Sequence, residues 1–152
     1  MKIGTANVGT MTGRCEEVVE MVDRRQLDIC CLQETRWKGG GATTFENYKF
    51  FWAGSKEDTA GVGFLVEEYW VDKVLQVKRC SERIMVLRVR VGKAVLCVIN
   101  AKNFTVYHTV KGVLVTRLKQ QILFCFDRRV WPWGSIANVQ APLQATHLQN
   151  LT

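Results

Sequence analysis

The stretch Leu27-Asp28-Ile29-Cys30-Cys31-Leu32-Gln33-Glu34 decides how this chain folds. It is a short, continuous apolar run that closes in two polar residues, and its lack of alternation describes a strand buried on both faces. Upstream, Cys15, Val18, Val19 and Val22 fall at i, i+3, i+4 and i+7, the stripe of an amphipathic helix running to about Gln26. Glu16 and Glu17 near its start and Arg24 and Arg25 near its end suit the helix dipole, and Glu20 with Arg24 adds an i, i+4 pair. Further upstream, Lys2 to Val8 reads as a strand with Ile3, Thr5 and Asn7 on one face, followed by a turn from Gly9 to Gly13. Strand, helix and buried strand make a β-α-β unit, so the fold class is α/β.

Downstream, Gly39-Gly40-Gly41 marks a loop. Strand candidates follow at Tyr48–Ala53, Gly61–Val66, Val71–Lys78 and Arg83–Val91, and Gly92-Lys93 turns the last of these into Ala94–Asn100. Beyond Asn100 the pattern changes. Val110, Leu114, Leu118, Ile122 and Phe126 recur every four residues with Lys111, Arg117 and Lys119 between them, which predicts a basic amphipathic helix over 110–126. The last 20 residues carry no periodicity and read as loose.

The 152 residues amount to about one domain. With 47% hydrophobic and 23% charged residues, the chain is not a collagen, a disordered acidic segment or a coiled coil. No apolar run approaches the roughly 18 residues of a membrane helix, and the N-terminus lacks a signal-peptide core. The expectation is a soluble nuclear or cytoplasmic protein that is not secreted. The net charge of +7 is unevenly spread. Residues 1–101 hold 15 Lys/Arg against 13 Asp/Glu, whereas residues 102–152 hold 6 against Asp127 alone. Two compositions therefore meet near position 101, and any attraction to nucleic acid concentrates in the second, basic one. The cysteines at 15, 30, 31, 80, 97 and 125 show no zinc spacing, and adjacent Cys30 and Cys31 on a strand point to opposite faces. They read as free thiols of a reducing compartment.

In a parallel β-α-β unit, ligands gather outside the carboxyl ends of the strands. Asn7 closes the first strand and Glu34 the second, so neighbouring strands about 4.8 Å apart bring the two side chains to one small site. A carboxylate and an amide oxygen are hard ligands suited to Mg²⁺, and the Asn7 amide is equally able to hydrogen-bond a phosphate oxygen. The bland reading is that both are turn formers at solvated strand ends.

The neighbouring residues sharpen this. Met1-Lys2-Ile3-Gly4-Thr5-Ala6-Asn7-Val8-Gly9-Thr10 resembles the opening of the endonuclease/exonuclease/phosphatase superfamily, and Leu27 to Trp37, with its Gln33-Glu34-Thr35, resembles the second signature of that family. Thr35-Arg36-Trp37-Lys38-Gly39, Gly61-Val62-Gly63 and Ser81-Glu82-Arg83-Ile84-Met85 are similar to the endonuclease domains of non-LTR (LINE-type) retrotransposons. The resemblance covers residues 1 to about 101. It implies the N-terminal part of a two-sheet α/β sandwich and a Mg²⁺-dependent phosphodiester hydrolase acting on DNA, with Mn²⁺ an acceptable substitute. Glu34 matches the metal-binding Glu, and Asn7 matches the Asn that supports phosphate and metal.

The chain also departs from that family. Ala6 stands where most relatives carry tryptophan, and Lys102-Asn103-Phe104 follows Ala101 where they continue with tyrosine and Ala-Pro. No Gly-Asp dipeptide occurs, and His108 and His147 follow Tyr107 and Thr146 rather than aspartate. Asp127, His108 and His147 have no spacing that marks them as substitutes. The expectation is therefore a truncated endonuclease-like domain, inactive by itself, with an apolar sheet face left open to self-association. The alternative is a non-catalytic nucleic-acid or protein-binding module that uses the basic tail with Trp131 and Trp133.

Overall fold

A computed structural model describes residues 1–105 and 117–126. The first strand, β1 (Ile3–Asn7), is followed by helix α1 (Cys15–Arg24) and by β2 (Ile29–Gln33). Then come β3 (Gly40–Phe45), β4 (Tyr48–Ala53), β5 (Val62–Glu67) and the single turn α2 (Glu68–Val71). Four strands finish the described chain: β6 (Val74–Ser81), β7 (Ile84–Val91), β8 (Ala94–Thr105) and β9 (Arg117–Phe126). They form a five-stranded sheet in the order β1-β2-β5-β4-β3 and a four-stranded sheet in the order β6-β7-β8-β9.

The expected β-α-β unit is present. β1 and β2 pair in parallel from Ile3 opposite Ile29 to Asn7 opposite Gln33, and every residue of β2 is buried. The reason lies in the layers on either side. Ile29 and Cys31 face the second sheet, in a core with Phe51, Val62, Phe64, Met85, Leu87 and Val98. Cys30 and Leu32 face α1, whose Val18, Val19 and Val22 are buried against them. The molecule is thus layered as helix, first sheet, second sheet, and the inner faces of the two sheets cover each other. Among the described residues the exposed large apolar side chains are Met1, Tyr69 and Leu75. No helix among them is long and apolar enough to cross a membrane.

Two expectations are corrected. The segment after Gly39 is not all loop, because Gly40–Phe45 pairs antiparallel with β4 as the edge strand of the first sheet. The amphipathic helix expected over 110–126 is not formed by residues 117–126, which pair antiparallel with β8 from Leu96 opposite Phe126 to Thr105 opposite Arg117. A four-residue spacing is commensurate with the two-residue period of a strand as well as with a helical turn. The free hydrogen-bonding edge of β8 selects the strand. Positions 110–116, and the 20 residues read as loose, lie outside the described residues. The compositional change near 101 falls within β8, which runs on to Thr105.

The buried thiols fix how the core responds to alkali. Burial pushes the Cys30 thiol up to about 12 and the Cys31 thiol well above its ordinary value. Burial likewise raises the Tyr48 hydroxyl, which donates to the carbonyl of Leu27, to about 12. The folded chain holds these protons more tightly than the unfolded one. Their contribution to stability is complete below the unfolded thiol value of about 8.5 and is lost as pH rises toward the folded values. The urea midpoint should therefore be level to about pH 8 and fall steadily between about pH 9 and 11. A midpoint that stays level across that range would contradict the buried, protonated thiols.

Candidate active site

The site is built where β1 and β2 end side by side. Strand alternation carries Ile29, Cys31 and Gln33 toward the second sheet, and Gln33 is fully buried there. Its carboxamide meets three partners, one of them the carbonyl of Cys31 on its own strand, which accepts from Nε2 at 3.2 Å. Gln33 Nε2 donates to Thr5 Oγ1 at 2.9 Å and to Asn100 Oδ1 at 2.8 Å. Asn100, also fully buried, sits on the inward face of β8 after Leu96 and Val98. Its Nδ2 donates to the carbonyls of Leu32 at 3.0 Å and Gly63 at 2.8 Å. Both amide hydrogens and the oxygen of Asn100 are thereby engaged. Buried polar groups are stable only when satisfied in this way.

Directly after this bridge the backbone turns. Glu34 and Arg36 adopt φ of 58° and 52°, with buried Thr35 between them. Left-handed backbone at non-glycine residues carries strain on the order of 1 kcal/mol each and needs surrounding contacts to hold it. Those contacts are the amide of Thr35 donating to Gly61 O, the amide of Met11 donating to Thr35 O, and the amide of Val8 donating to Gln33 O. Gly61 itself, at φ 145°, has no room for a side chain, since a Cβ would lie 2.2 Å from Thr35 Oγ1. Farther along the loop, Trp37 packs edge-on against Phe50 and Trp52, and the amide of Gly54 donates to Gly39 O. The loop is pinned at both ends, so the Glu34 carboxylate is fixed at the strand terminus.

Asn7 and Glu34, the two candidates of the sequence, are brought to the same strand ends. Asn7 is exposed and its Oδ1 accepts the amide of Gly9 at 3.1 Å, closing the turn after β1. A residue that the spacing did not mark completes the cluster. Lys102 continues the inward face of β8 one step beyond Asn100, and its Nζ lies 2.7 Å from Glu34 Oε1. Arg36 approaches the other oxygen, with Nη2 4.0 Å from Oε2. The hydrogen bond from Lys102 holds the Glu34 carboxyl below its ordinary value against the opposing effect of burial, and the Asn7 side chain and the positive charges of Lys102 and Arg36 add to this. The alternation Leu96, Val98, Asn100, Lys102 was readable in the sequence, but the sheet-to-sheet packing that turns it toward Glu34 was not. Asp127, His108 and His147 lie outside the described residues.

This donor set does not fit the Mg²⁺ that the resemblance implies. Mg²⁺ calls for near-ideal octahedral oxygen coordination anchored by carboxylates. Here one Glu34 oxygen already carries an ammonium, the other faces a guanidinium, and the Asn7 oxygen is engaged by its own turn. What the cluster does hold is a partly buried, charge-compensated ion pair.

No protein-family model matches the chain, and no curated protein matches it.

Because the Glu34 carboxyl is depressed in the folded state, its contribution to stability is present above the ordinary carboxylate value of about 4.3 and is lost as pH falls through the lower, folded value. Glu34→Gln should destabilise the chain by about 1–2 kcal/mol near neutrality, since it leaves the Lys102 ammonium without its charged partner. Urea unfolding of both proteins from about pH 6 to about pH 3 should show the gap narrowing. A gap that is absent at neutrality, or unchanged in acid, would contradict the ion pair.

Proposed function

We propose that the chain carries the N-terminal part of an endonuclease/exonuclease/phosphatase-type sandwich, similar to the endonuclease domains of non-LTR retrotransposons and to craniofacial development protein 2. In this reading its ancestor was a Mg²⁺-dependent phosphodiester hydrolase acting on DNA, and this chain by itself does not turn over. The observation that carries the reading is the delivery of Asn7 and Glu34, from adjacent parallel strands of a two-sheet sandwich, to one strand-end cluster. The Gln33-Glu34-Thr35 turn and Gly61-Val62-Gly63 meet at the same place, because Gly61 accepts from Thr35 and Gly63 accepts from Asn100.

The lack of turnover follows from what hydrolysis requires. A water must be positioned and deprotonated, and charge on the departing oxygen must be stabilised. A general base alone is worth about 10²–10⁴ in rate. The Gly-Asp and Asp-His pairs that would supply these groups by resemblance do not occur in the sequence. Glu34, the one carboxylate that matches, is tied to Lys102 and so is a poor proton acceptor.

The test is nicking of supercoiled plasmid in Mg²⁺ by the chain and by Glu34→Ala. Equal background nicking by both proteins, unchanged by EDTA, is the expected result. Nicking that disappears with either EDTA or Glu34→Ala would overturn the reading that the chain is inactive alone.

A further inference from the structure

The mismatch between the Glu34 cluster and a divalent ion begins with the positive charges that meet the carboxylate, and the nearer of the two is Lys102. Lys102 reaches Glu34 from the opposite sheet, and its side chain is only 16% exposed. An ammonium that far from water needs a charged partner close by. It finds Glu34 Oε1 at 2.7 Å, the distance of a charge-assisted hydrogen bond. Its place is set by the fold. The Lys102 amide donates to Arg83 O at 3.0 Å, and Asn100, two residues earlier, is anchored on the first sheet. With Arg36 facing Oε2, the carboxylate meets a positive charge at each oxygen. Any divalent ion approaching Glu34 would be repelled by both, and in a partly buried setting that repulsion is weakly screened.

We propose that the Lys102 ammonium is a built-in cation standing where a metal ion would otherwise sit on Glu34, so that the Asn7–Glu34 cluster is a latent divalent-cation site held closed by one lysine. This rests on reading Asn7 and Glu34 as a former cation position. Arg36 is exposed and 4.0 Å away, where solvent weakens its hold on the carboxylate, whereas Lys102 is only 16% exposed and at hydrogen-bonding distance. Removing the ammonium while keeping the strand frees Oε1 and leaves the carboxylate beside the Asn7 side chain. The local charge then favours a divalent ion.

Mn²⁺ titration of the full chain, followed by the electron paramagnetic resonance signal of free Mn²⁺, reads site occupancy without nucleic acid or turnover. Lys102→Gln should bind Mn²⁺ at least about tenfold more tightly than the unaltered chain, whose weak residual binding should not depend on Glu34; tenfold is the scale expected on losing one nearby positive charge. Lys102→Arg, which keeps the charge, should stay like the unaltered chain, and Lys102→Gln combined with Glu34→Gln should lose the gain. The proposal is overturned if Lys102→Gln binds no more tightly than the unaltered chain. It is also overturned if the unaltered chain or Lys102→Arg binds Mn²⁺ in a way that Glu34→Gln abolishes, and this arm decides even where Lys102→Gln does not fold. The plasmid assay reads turnover and this titration reads occupancy, so the two readings fail separately.

Discussion

The structure turns on a hydrogen bond between two buried carboxamides, Gln33 on β2 and Asn100 on β8, 67 residues apart in the chain. Around it the inner faces of the two sheets meet through a buried apolar core, which is strong but does not specify register. The carboxamides do specify it. Asn100 reads the carbonyls of Leu32 and Gly63 on neighbouring strands of the first sheet and accepts from Gln33, so a slip of β8 by one residue would bury its amide without partners. Each unsatisfied buried group costs about 1–3 kcal/mol, a large fraction of the margin by which a domain of this size is stable. The pair thus selects one sandwich among several that the apolar residues alone would allow.

The same bridge sets the site. Gln33 is the last residue of β2, and Glu34 follows in left-handed backbone. Asn100 is followed two residues later by Lys102 on the same face of β8. Fixing Gln33 against Asn100 therefore fixes Glu34 against Lys102. The strained turn at Glu34, the glycine demanded at 61 and the pinned Trp37 loop all serve one placement of a single carboxylate. Strain of this kind gathers where a side chain must be held in position. Here the carboxylate held in this way faces the Lys102 ammonium.

Much of this was legible in the residues, and what was not has physical reasons. The β-α-β opening shows because its periodicities are local: the apolar stripe of Val18, Val19 and Val22, and the unbroken run from Ile29 to Leu32. The meeting of Asn7 and Glu34 follows from parallel pairing of those two strands. β3 was hidden because Gly39-Gly40-Gly41 is a stronger turn signal than the short, mostly exposed strand that begins within it. β9 was hidden because its four-residue spacing serves helix and strand alike, and only the waiting edge of β8 decides between them. Lys102 was visible as a departure from a familiar pattern, but its pairing with Glu34 depends on contact between distant strands that no local pattern encodes.

The dependence of the sandwich on its carboxamide bridge is most directly tested by a double-mutant cycle. Urea unfolding of the unaltered chain, Gln33→Ala, Asn100→Ala and the double variant isolates the energy of that one contact. The account predicts a coupling of at least about 1 kcal/mol, with the second substitution costing much less once the first has been made. Effects that simply add, to within about 0.5 kcal/mol, would mean the two side chains act independently and would contradict it.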